Sequence, residues 1–154
     1  KMNFYECKIK FDKEQQDGTF KSTSELYLVD ALSFTEAEAR ITLEQKAFAQ
    51  DRIFEVENIR RVRFNELLNN YDNSSDRWLK SKVLFISLDE KKGVEKRTSN
   101  AILIKAQSLK HALDILIKEM DKNNSEYEIA NIAETAIMDV YEHAIISTSQ
   151  ENQE

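Results

Sequence analysis

The sequence predicts an α+β fold: a two-layer body in which a strand-strand-helix-strand unit occurs twice and a mostly antiparallel sheet carries its helices on one face. Three observations predict it. The chain repeats itself at an offset near 75 residues, the first strand of each copy alternates apolar with polar residues, and a serine precedes a helix-forming run at the same place in both copies.

The repeat is ordered along the whole chain. Cys7-Lys8-Ile9-Lys10-Phe11 matches Ser81-Lys82-Val83-Leu84-Phe85 at an offset of 74. Leu28, Ala31, Ser33 and Ala37 then fall on Leu103, Ala106, Ser108 and Ala112 at 75, and Phe54-Glu55-Val56-Glu57-Asn58-Ile59 lies over Tyr127-Glu128-Ile129-Ala130-Asn131-Ile132 at 73. This is a duplication of residues 3–70 and 77–143, joined by the polar stretch Asn69 to Asp76. Together the repeats are expected to form a single domain spanning 1–154, with a polar tail at 144–154.

Each element has its own signal. In the first strand Tyr5, Cys7, Ile9 and Phe11 alternate with Glu6, Lys8 and Lys10, the period-two pattern of a sheet with one buried face; the counterpart buries Leu79, Ser81, Val83 and Phe85. Turns at Asp17-Gly18 and Lys92-Gly93 lead into second strands at Leu26 to Val29 and Ile102 to Ile104, because glycine reaches positive φ without steric cost. Ser33 with Glu36 three residues later forms a capping box, which predicts a helix from Thr35 to Gln50. Ser108 predicts a second helix over Leu109 to Asp121, with Leu109, Ala112, Leu113, Leu116, Ile117 and Met120 on one stripe. Third strands follow around Phe54 to Phe64 and Tyr127 to Val140, with a bend or bulge expected at Asn58 and Asn131.

Composition narrows the function. The chain has 154 residues, 41% apolar and 32% charged, enough for a packed core and too apolar for a disordered chain. Two glycines and no proline exclude every glycine-rich phosphate loop. The net charge of −6 is spread evenly over the two halves, which disfavours nucleic-acid binding by bulk charge. No apolar run is long enough to span a membrane and no leader opens the sequence, so the expected compartment is the cytoplasm. The lone Cys7 has no disulfide partner and no neighbouring metal ligand.

Catalytic candidates are few. His111 lies in a first helical turn beside Lys110 and reads as a solvated surface residue; nothing clusters around it, His143 or Cys7. Glu6-Cys7-Lys8 spells the end of a metal-dependent nuclease motif, but only five residues precede Glu6 and none supplies the second acid, so an alternating solvent face explains it. The expectation is no enzyme, no metal and no cofactor. Basic residues point elsewhere: Arg60, Arg61 and Arg63 form the densest positive patch, with Lys80 and Lys82 on an outward strand face, and together they are the candidate partner-binding residues. The repeat places Ala133, Glu134 and Ala136 where the arginines stand, so the patch marks one half only. The competing expectation is ordinary edge charges paired with Glu55, Glu57 and Glu66.

Phe4-Tyr5-Glu6-Cys7-Lys8, the run Tyr27-Leu28-Val29-Asp30-Ala31-Leu32-Ser33-Phe34-Thr35-Glu36-Ala37-Glu38-Ala39, and Tyr127-Glu128-Ile129-Ala130 with Ile137-Met138-Asp139-Val140 resemble a domain-of-unknown-function family of Bacteroidota and their phages and prophages. The resemblance runs from Asn3 to about Tyr141 and brings no catalytic residues to carry over. It implies a non-catalytic prophage-type binding protein. Such proteins often act on host machinery, which makes an anti-CRISPR-like inhibitor of an RNA-guided defence nuclease, bound to the effector or its RNA complex, the expected form. The alternative is a nucleic-acid-binding accessory protein of phage replication or recombination.

Overall fold

The computed structural model describes residues 2–49 and 51–142. Its elements run β1 (Met2–Glu14), β2 (Phe20–Val29), α1 (Phe34–Phe48), β3 (Phe54–Phe64), β4 (Glu66–Leu68), β5 (Arg77–Asp89), β6 (Val94–Ala106), α2 (Leu109–Met120), β7 (Glu126–Glu134) and β8 (Ile137–Tyr141). The chain is α+β and mostly strand. Gln50, His143 and the expected tail at 144–154 lie outside the described residues.

One sheet was expected; two four-stranded sheets are found, in the orders β3-β1-β2-β8 and β4-β6-β5-β7. Each contains antiparallel pairs and one parallel edge, β8 on β2 and β4 on β6. The third strand of each expected unit is broken, at Asn65 and at Thr135-Ala136, and the short piece after the break pairs in the other sheet. Contacts divide the chain into two compact units, Arg63–Thr135 with Met2, and Asn3–Val62 with the described residues from Ala136 onward.

In the unit beginning at Asn3, β1 and β2 pair from Tyr5↔Val29 to Glu14↔Phe20. Gly18 at φ 85° closes the turn, where Asp17 Oδ1 accepts from the Thr19 amide at 3.0 Å. Tyr5, Cys7, Ile9, Phe11, Tyr27 and Val29 form the core face under Ala37 and Ile41 of α1. Burying these side chains removes their apolar surface from water, worth about 1.5–3 kcal/mol for each large aliphatic or aromatic group. The buried face of α1 is narrow and ends on a polar residue: Gln45 is fully buried and its Oε1 accepts from Arg52 at 2.8 Å.

In the unit from Arg63 to Thr135, β5 and β6 form a hairpin of thirteen residues per strand, turned at Gly93 with φ 65°. Leu79, Val83, Ile102, Ile104 and Ala106 pack under Ala112, Leu116 and Met120 of α2. The stripe expected on α2 is narrower than its spacing suggested, because Leu109 and Ile117 are exposed. The bulge expected at Asn131 is present: β7 pairs Asn131 with Lys82 but Ile129 with Val83, and buried Ser81 donates its hydroxyl to the Asn131 carbonyl at 2.8 Å.

Candidate functional site

β3 is an outer strand, with β1 on one side and no strand of its sheet on the other. Its sequence explains how its side chains divide. Phe54, Val56 and Ile59 all pack on the core. The three-residue step from Val56 to Ile59 breaks a period of two, so one extra residue bulges at Glu57-Asn58, both of which are exposed.

Beyond the bulge the arginines separate. The Arg60 guanidinium donates to both carboxylate oxygens of Glu6, at 2.9 and 3.2 Å. Glu6 alternates with core-facing Tyr5 and Cys7, so Arg60 lies on the face away from α1. Arg61 and Arg63 alternate with it onto the opposite face; both are exposed, and among the described residues neither side chain has an ion-pair or hydrogen-bond partner. The three arginines are therefore not one cluster. Arg60 is a cross-strand tie, while Arg61 and Arg63 are exposed cations without a charged partner among the described residues.

Lys80 and Lys82 are exposed on β5, on the face opposite Leu79, Ser81 and Val83. The Lys80 ammonium lies 5.8 Å from the centroid of the buried Phe64 ring, a cation–π contact. By compact unit, Arg60 and Arg61 belong with β1 and β2, and Arg63, Lys80 and Lys82 with β5 and β6.

The competing edge pairings are only partly the expected ones. Glu57 meets Lys8 at 3.6 Å, and Arg60 takes Glu6 rather than Glu55 or Glu57. Glu66 is half-buried, and burial together with the charge of Glu119 raises its carboxyl above the usual range. The Glu6-x-Lys8 motif is thus occupied at both ends by salt bridges.

The two residues with the most reactive side chains have structural partners. Cys7 is fully buried, and burial followed by the charge of Glu6 pushes its thiol up to about 12, which disfavours the nucleophilic thiolate. His111 completes a helix cap: Ser108 Oγ accepts from the His111 amide at 3.1 Å, and His111 Nδ1 accepts from the Gln107 amide at 3.0 Å. Glu36 does the same on α1, its carboxylate accepting from the Leu32 amide at 2.9 Å and its own amide donating to Ser33 Oγ at 3.1 Å.

One feature on this edge escaped sequence reasoning. An open groove of about 730 Å³ runs between α1 and β3, bordered by Glu38, Thr42 and Lys46 of the helix and by Ile53, Phe54 and Val56. Ile53 is 91% exposed and adds an apolar side chain to an otherwise mostly polar and charged lining. The spacing of Glu38, Thr42 and Lys46 on one helix face was readable, but that this face overlooks β3 follows only from the packing.

Among the described residues, no group of three or more His, Cys, Asp and Glu side chains could hold a metal ion. None of their helices is long and apolar enough to cross a membrane.

No curated protein and no solved structure matches the chain. A family model does, described as Domain of unknown function (DUF4494), and it covers residues 3–143, a span that includes β3 in full. The chain belongs to the DUF4494 family.

Proposed function

We propose that this chain is a non-catalytic binding protein that works through the arginine-bearing edge of β3. The observation that supports it is the pair Arg61 and Arg63, exposed and unpaired among the described residues, on a strand whose outer edge is open. Exposed cations with no ion-pair or hydrogen-bond partner among the described residues can turn toward an acidic partner without breaking such a contact, and unpaired edge backbone offers it hydrogen bonds.

The same reading treats the chain as a diverged internal duplication. Its support is the matched capping at Ser33 and Ser108, Glu36 and His111, and two sheets that each hold a hairpin between an outer strand and a short parallel one. Divergence then placed arginines on β3 where Ala133, Glu134 and Ala136 stand in the other copy. The specific form of the proposal, a cytoplasmic prophage-type inhibitor of an RNA-guided defence nuclease, rests on the resemblance to phage and prophage proteins.

Affinity capture from a host lysate, with and without RNase, tests it. A protein partner retained after RNase, with an affinity that falls only weakly as salt rises, supports the binding module. A partner lost to RNase, or a steep linear fall of log affinity with log salt, favours nucleic-acid binding instead.

A further inference from the structure

We infer that the open edge of β3 pairs antiparallel with β3 of a second copy of this chain, so that two sheets join about a two-fold axis at Ile59. This deepens the proposed function by naming one partner of that strand, and it rests on reading the arginine half of β3 as a binding face. The charges of β3 are sorted by sign along its length: Glu55 and Glu57 precede Ile59, and Arg60, Arg61 and Arg63 follow it. Antiparallel self-pairing lays the acidic half of each strand beside the basic half of the other, whereas parallel pairing sets like charge on like. Edge charges of a single sign repel a second strand, but charges sorted in this way admit one in a single orientation.

The division of side chains between faces agrees with that pairing. Counting outward from Ile59 opposite itself, and allowing for the extra residue at Asn58, Glu57 meets Arg60 of the second copy on the face away from α1. On the α1 side, Val56 meets its Arg61 and Phe54 meets its Arg63. Val56 and Phe54 border the groove under α1, whose lining carries Glu38 and Glu55 together with Lys46 and Arg52. Arg61 of the second copy therefore enters beside a carboxylate, and Arg63 lies against an aromatic ring, a contact that favours a guanidinium. The outer strand of the second sheet, β7, offers no such match: its charged residues Glu126, Glu128 and Glu134 are all acidic, and Arg77 and Arg97 hold two of them within the sheet.

Sedimentation equilibrium of the full chain over a wide concentration range tests the inference. The expected result is a closed monomer–dimer equilibrium that weakens as salt rises. A chain carrying Glu55→Arg with Glu57→Arg has an all-basic strand, and one carrying Arg61→Glu with Arg63→Glu has a mostly acidic one. Each alone should dimerise about a hundredfold more weakly, since like-charge juxtaposition costs several kcal/mol, and an equimolar mixture should form a heterodimer.

An Ile59→Cys chain should cross-link to itself on oxidation, because directly opposed antiparallel residues lie within disulfide reach and native Cys7 is buried. Thermal melting of every variant separates a lost interface from a lost fold. A wild-type chain that stays monomeric, an open polymer, or a dimer that Ile59→Cys does not cross-link overturns the inference. A monomeric wild type leaves the binding-face reading intact. An Arg61→Glu, Arg63→Glu chain that keeps a different captured partner overturns that reading and leaves the dimer standing.

Discussion

Arg60 and Glu6 hold β3 to β1 through two hydrogen bonds, from Nε at 2.9 Å and from a terminal nitrogen at 3.2 Å. The planar guanidinium matches both carboxylate oxygens at once, which a lysine ammonium would not do. Arg60 is thereby assigned to the fold and Arg61 to the surface, although the two are neighbours in sequence.

This assignment predicts different responses at neighbouring positions. Arg60→Ala should lower stability by about 0.5 kcal/mol, the usual worth of a well-formed but exposed pair, and Glu6→Ala should lower it by a similar amount. The double substitution should cost little more than either alone, because one interaction is being removed twice. Chemical denaturation of the four chains of this cycle measures it, and additive losses would show that the pair does not couple.

The caps give a second prediction. Ser33 and Ser108 each accept an amide three residues on, satisfying a donor that the helix itself leaves open. Ser108→Ala should cost about 1 kcal/mol, and Ser33→Ala about the same. His111→Ala should cost a smaller amount by freeing the Gln107 amide, while His111→Glu should restore an acceptor where α1 already uses Glu36. Equilibrium unfolding checks the order, and a His111→Glu chain no more stable than His111→Ala would remove the imidazole from the cap.

A pH dependence follows from Glu66. Burial and then the charge of Glu119 raise its carboxyl in the folded chain above 4.5. The folded state accordingly holds its proton more tightly than the unfolded one, so stability falls as pH rises from 4.5 through the raised value. Glu66→Gln removes the ionisation and should raise the melting temperature at neutral pH, with the gain shrinking as pH falls through the raised value and gone below 4.5, where the carboxyl is protonated in both states. A gain that is independent of pH would assign the effect to packing.

The parts of the fold that could be read in the sequence are those where one local pattern decides the outcome. Tyr5, Cys7, Ile9 and Phe11 face one core because a strand alternates, and Ser33 and Ser108 begin helices because their hydroxyls reach an amide three residues on. The breaks after β3 and β7 were not readable. Phe54 to Phe64 and Glu66 to Leu68 continue almost without interruption, and the period of two does not say which sheet a strand joins. At the candidate site the arginines were found by composition, but the partner of Arg60 lies 54 positions away on β1, and only pairing of the strands brings it near. His111 illustrates a signal that was present: it stands three residues after Ser108 as Glu36 stands three after Ser33, and its imidazole accepts a backbone amide as that carboxylate does.

The remaining prediction tests the surface itself. Arg61→Glu with Arg63→Glu reverses two exposed side chains that have no partner among the described residues, so folding should change by no more than about 1 kcal/mol. At an interface with an acidic partner the consequence is larger, because each reversal removes an attraction and sets like charges together. The loss should be about 2–5 kcal/mol, a fall in affinity of at least thirtyfold or so. Arg60→Glu is the informative contrast: it breaks the tie to Glu6 on the other face, and should lower stability more than it weakens binding. Titration calorimetry on the captured partner, beside thermal melting of each chain, separates these outcomes. Unchanged affinity for the double variant would remove Arg61 and Arg63 from the binding face, and a collapsed melting temperature would return them to the fold.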